Sequence, residues 1–139
     1  MNVFQTLEDK KREEKARGFL ESRLDCMAID MPIFSPVDAM LVKDDKVAGV
    51  EFKFRKVPFQ EYPTIWLEEA KQVALIECKE VWDKAYFMPV FNGELFRIEV
   101  GDTLGHPRTV GGRYDRQVND IDNMVDIPMS NLERMGRVF

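Results

Sequence analysis

The stretch Val37–Arg55, VDAMLVKDDKVAGVEFKFR, decides how the chain is read. Val37–Val42 and Val47–Phe54 are rich in β-branched and apolar residues, and the polar run Lys43-Asp44-Asp45-Lys46 separates them. That is the pattern of two strands joined by a tight turn. With Asp44 and Asp45 as the turn residues, cross-strand partners sum to 89, so Asp38 lies opposite Glu51. Side chains alternate between the faces of a strand, so Lys53 projects from the same face as Glu51. Two carboxylates and a lysine then converge on one patch. Like charges directly opposed on a sheet are destabilising, so the pairing calls for a cation. A hard divalent ion with oxygen ligands, Mg²⁺ or Mn²⁺, suits it. The competing reading is an ordinary hairpin with one charged, solvated face. Against it, Asp38 sits between Val37 and Ala39, and Glu51 and Lys53 alternate with Val50, Phe52 and Phe54.

The run Ser35-Pro36-Val37-Asp38, followed thirteen residues later by Glu51-Phe52-Lys53, resembles the PD-(D/E)XK nuclease superfamily. In that superfamily a proline and an aspartate precede an Asp/Glu-X-Lys on the next strand. Here Val37 separates the proline from the aspartate, a familiar variation. The resemblance implies that Asp38, Glu51 and the Phe52 carbonyl hold Mg²⁺ or Mn²⁺, and that Lys53 positions the attacking water. It also implies a first-helix glutamate reaching the site. Glu13 is the candidate because it shares the stripe of Ala16 and Leu20, with Glu14 as the fallback. A Gln or Lys near the start of the helix after the motif completes the set; Lys71-Gln72 fits, with Gln72 the better match. The neighbouring carboxylates are expected to keep Lys53 charged.

Composition sets bounds on these implications. A chain of 139 residues, 45% hydrophobic and 32% charged, suits one domain with a real core. The N-terminal MNVFQTLEDKKREEK has no apolar run behind its charges, so no signal peptide is expected, and no stretch approaches a membrane span. Cys26 and Cys78 lack metal-ligand spacing and read as buried free thiols in a reducing cytoplasm. A single histidine, His106, argues against a His-based zinc site or a Ser-His-Asp triad. The net charge of −5 is unusual for a protein that binds nucleic acid. A bound cation would offset part of it. The rest must be segregated from Lys10, Lys11, Arg12, Lys15 and Arg17, from Arg55 and Lys56, and from Arg97, Arg108, Arg113 and Arg116.

Around the central hairpin, Thr6–Leu24 reads as an amphipathic helix, and Cys26–Ile29 as a short strand. Thr64–Trp82 reads as a second helix, with Thr64 as N-cap and Glu68-Glu69 in its first turns. Ala85–Phe91 and Glu94–Val100 flank Asn92-Gly93, a type I′ hairpin signal. Pro89 predicts that one side of its strand lacks a hydrogen-bonding neighbour. Gly101–Gly112 reads as a flexible loop, GDTLGHPRTVGGRYDR when extended to Arg116. The tail offers a short strand at Met124–Ile127 and a helical turn at Leu132–Met135.

The expected fold class is therefore α/β, a mixed central sheet with a helix on each side. It agrees with the α-β-β-β-α-β core of the restriction-endonuclease-like fold that the resemblance implies. One domain spans residues 1–139, with a core at about 6–100 and with 101–139 as loop and C-terminal extension. The implied activity is Mg²⁺-dependent hydrolysis of DNA by an endonuclease, structure-specific action included. The implied setting is the cytoplasm, that of the host if the chain is phage-encoded, and small relatives are often homodimers. Two alternatives stay open. One is a catalytically silent nuclease-fold binding module, such as a phage anti-defence protein. The other is a metal-dependent hydrolase of a small phosphate.

Overall fold

A computed structural model describes residues 7–101, 103–110 and 122–139. The chain runs through helix α1 (Leu7–Leu24) and strands β1 (Met27–Asp30), β2 (Ala39–Lys43), β3 (Lys46–Arg55) and β4 (Thr64–Glu68). Helix α2 (Glu69–Val81) follows, and then β5 (Lys84–Phe91), β6 (Glu94–Glu99), β7 (His106–Val110), β8 (Asp122–Pro128) and β9 (Glu133–Arg137). Six strands form one sheet in the order β1-β2-β3-β5-β6-β9, and β4-β8-β7 form a second. The large sheet is mixed: β3 and β5 are parallel and the other pairs are antiparallel.

The central hairpin has the register that its turn dictates. Lys43 pairs with Lys46 and Ala39 with Val50, and Asp44 takes a left-handed φ of 55° in the turn. The Asn92-Gly93 hairpin forms likewise, with φ of 47° and 88° at the two turn residues, as a type I′ turn requires. Alternation along β5 then divides the core. Ala85, Phe87 and Phe91 face α2 and its Leu75. Met88 and Val90, with Val50 and Phe52 of β3, face α1 through Ala16 and Leu20. A helix therefore covers each face of the sheet. Pro89 lies inside the sheet, where the β5–β6 pairing passes from Phe87↔Ile98 to Val90↔Leu95 and skips it.

Close approach brings α2 down onto β3. A Cβ at Gly49 would lie 2.4 Å from the Cys78 sulfur and 3.2 Å from the Trp82 ring. Glycine lets the helix pack directly against the strand that carries Glu51 and Lys53.

Several expectations need correcting. Residues 64–68 are a strand, not the first turns of a helix: Thr64 pairs with Pro128 and Glu68 with Met124. α2 begins at Glu69, and Glu68, not Thr64, holds the N-cap position. The residues after 100 are not an extension of a finished core. β7 and β8 build the second sheet, and β9 closes the edge of the first beside β6. Leu132–Met135 is not helical; a 3₁₀ turn at Met129–Asn131 leads into β9. The first strand lies one residue later than Cys26–Ile29. Cys26 and Cys78 are free but half-buried. Thr6, Asp102 and residues 111–116 of the expected loop lie outside the described residues.

Candidate active site

β3 runs through the interior of the sheet, between β2 and β5, and its middle, Gly49–Phe52, is buried. Among the described residues Glu51 is the charged side chain in the core, 6% exposed. Asp38 stands one residue ahead of β2. Its backbone N–H donates to the Val50 carbonyl at 2.9 Å, and its Oδ2 accepts from the Phe52 N–H at 2.8 Å. The strand pairing ends at Ala39↔Val50, so these two bonds, and not a continued ladder, hold Asp38 beside Glu51.

The electrostatics record the crowding. Burial, and then the Asp38 charge, push Glu51 up to about 8, with the Lys71 ammonium pulling it back only in part. Asp38 is also raised by burial, and the Phe52 amide and Lys71 offset much of that. Lys71 Nζ lies 3.4 Å from Glu51 Oε2. Glu51 Oε1 is buried and makes no hydrogen bond among the described residues, an arrangement that normally has an explanation.

Lys53 shares this face. Its ammonium donates to the backbone carbonyl of Trp66 in β4, so a strand of the second sheet seats the motif lysine. Burial, then Arg55, lower its pKa to about 8, against the opposing pull of Glu68 and Glu51. Desolvation outweighs the carboxylates that were expected to hold it charged.

Glu13 is half-buried on α1, and its pKa is raised to about 7 by burial and then by Asp38 and Asp30. It faces the Asp38 side of the patch, whereas Glu14 is exposed. Gln72 turns elsewhere. Its Oε1 accepts from the Leu104 N–H at 2.8 Å and the Thr103 hydroxyl at 3.1 Å, fastening the 103–105 turn to α2. The α2 side chain that meets the carboxylates is Lys71, the neighbour that sequence reasoning ranked second.

The donor set fits a divalent ion. No group of three His, Cys, Asp or Glu side chains among the described residues converges into a ready cage. Mg²⁺, however, is commonly held by one or two carboxylates, with water and substrate oxygens completing its shell. Asp38 and Glu51, with an unsatisfied oxygen between buried neighbours, are such a pair.

Residues 1–135 match the family model described as "Phage putative PDDEXK endonuclease". No curated protein matches the chain. Among solved structures, the chain is similar to Hjc, a Holliday junction resolvase from the archaeal hyperthermophile Archaeoglobus fulgidus. The TM-score is 0.56 at 14% identity, over 84% of this chain and 87% of that one. The likeness establishes the restriction-endonuclease-like fold.

Proposed function

We propose that this chain, which belongs to the family of phage PDDEXK endonucleases, hydrolyses DNA phosphodiester bonds with Mg²⁺ or Mn²⁺. The observation that carries the reading is the buried Glu51 beside the half-buried Asp38, with Glu51 Oε1 unsatisfied and Lys53 beside it on the same face of β3. Asp38, Glu51 and the Phe52 carbonyl would hold the ion. When bound, it supplies Lewis-acid stabilisation of the charge that builds on the phosphate.

The chain's own residues do the rest. Lys53 Nζ, seated on the Trp66 carbonyl, positions the attacking water and the scissile phosphate. With its pKa lowered to about 8, it can also take a proton from that water near neutral pH. Glu13, raised to about 7, stands at the Asp38 side as a further acid–base group or outer ligand. The complete Asp38, Glu51, Lys53 set favours an enzyme over a silent binding module. The fold shared with a junction resolvase makes branched DNA the structure-specific substrate to try, and a homodimer the assembly to expect. The cytoplasm of an infected host is where such an enzyme would meet DNA. No described helix is long and apolar enough to cross a membrane.

The test is calorimetric titration of Mg²⁺ into wild type and Asp38→Ala, with supercoiled and branched DNA assayed in parallel. Ion binding and cleavage by wild type, both lost in the variant, are the expected result. Absence of ion binding by wild type would overturn the assignment. Binding without DNA cleavage, but with release of phosphate from nucleotides, would instead favour the small-phosphate hydrolase.

A further inference from the structure

Lys71 is in an awkward place for a lysine. It is the third residue of α2, where the helix dipole favours anions and disfavours cations. Its stem is half-buried. The ammonium lies 3.4 Å from Glu51 Oε2, with its side chain 42% exposed against 8% for Glu51. A buried carboxylate pair without a compensating cation is strongly destabilising. In the ion-free protein, Lys71 is the cation that compensates it. Lys53, on the same face of β3, is tied to the Trp66 carbonyl instead.

Resting on the metal-dependent reading above, we propose that Lys71 is a tethered counter-ion: it balances Asp38 and Glu51 until a divalent cation takes its place, and the displaced ammonium then contacts the substrate phosphate. The chemistry supports displacement over coexistence. Glu51 would present its oxygens to the incoming ion, and an ammonium held within salt-bridge distance would repel that ion. Lysine suits the task because its charge sits on a flexible four-carbon stem with rotatable donors. The exposed half of the side chain leaves it a path to solvent and to a bound polyanion. The same site then has two occupants of one sign, a resident and a visitor, and the departure of the first provides a contact for the substrate.

The experiment compares wild type, Lys71→Met and Lys71→Arg by Mg²⁺ calorimetry at pH 9 and by thermal melting in EDTA. Removing the competitor should tighten Mg²⁺ binding by on the order of tenfold, a usual size for coupling between two ligands. The same variant should melt lower in EDTA. Arginine, which grips a carboxylate with a fixed fork, should restore the EDTA melt and weaken Mg²⁺ binding. Weaker or unchanged Mg²⁺ binding in Lys71→Met, with wild type still binding the ion, would overturn the counter-ion role and leave the metal site standing. No binding by wild type would overturn both. If Lys71→Met fails to fold, the ζ-nitrogen NMR signal of Lys71 in wild type decides. Movement on Mg²⁺ addition supports displacement, and a stationary signal overturns it.

Discussion

Glu51→Gln should stabilise the ion-free protein, and by an amount that grows with pH. The substitution keeps shape and volume and removes only the ability to ionise. Glu51 is raised from 4.5 to about 8 in the folded chain. Its folded pKa lies above its unfolded value, so the folded state binds the extra proton. The associated stability is fully present below about 4.5 and is lost as pH rises through about 8. At 1.36 kcal/mol per pH unit, that interval sets a ceiling of about 5 kcal/mol on the cost of ionising Glu51. Glutamine escapes that cost but gives up the partly exposed Lys71 ion pair, worth up to about 1 kcal/mol, and its coupling to Asp38 changes too. A net gain of about 1–3 kcal/mol at pH 9 follows, close to zero at pH 5. With roughly 3 °C per kcal/mol for a chain of this length, the melting temperature should rise by about 3–9 °C at pH 9. Thermal melts of both proteins in EDTA between pH 5 and 9 measure it. A difference that stays flat with pH, or a variant that melts lower at pH 9, would refute the apposed-carboxylate geometry.

Lys53→Met should abolish Mg²⁺-dependent cleavage yet raise the melting temperature at pH 7. The folded pKa of Lys53 lies below its ordinary value of 10.5, at about 8, so its charged form costs stability that is recovered only as pH rises through that interval; the gain over wild type should vanish above it, and a lower melting temperature at pH 7 would contradict the burial. Gln72→Ala should destabilise by about 1–2 kcal/mol, because it leaves the part-buried Leu104 N–H without its acceptor. Cleavage should survive in that variant; a loss of activity with an unchanged melting temperature would restore Gln72 to the site.

The central hairpin was legible because its information is local. Asp44-Asp45 set the turn, the turn set the register, and a period of two put Glu51 and Lys53 on one face. Asn92-Gly93 worked in the same way. The stripe of Ala16 and Leu20 on α1 likewise picked Glu13 over Glu14. β4 was not legible, since Thr-Ile-Trp-Leu followed by two glutamates also reads as a helix start. What makes it a strand is β8, whose pairing residues lie about sixty positions along the chain. β9 was missed for the same reason, its partner being β6.

The sequence by itself determined the hairpin and the two-helix α/β plan, consequences of turn chemistry and periodicity, whereas Asp38 is held by bonds to Val50 and Phe52 beyond the end of the ladder. Only the tertiary structure decided that Lys71 and not Gln72 meets the carboxylates. Residues 71 and 72 lie about 100° apart round the helix, and which of them faces β3 is set by how α2 packs on the sheet. Only the tertiary structure decided the direction of the Lys53 pKa shift as well. Spacing shows which charges are neighbours, but desolvation depends on how completely α2 and the second sheet close over them.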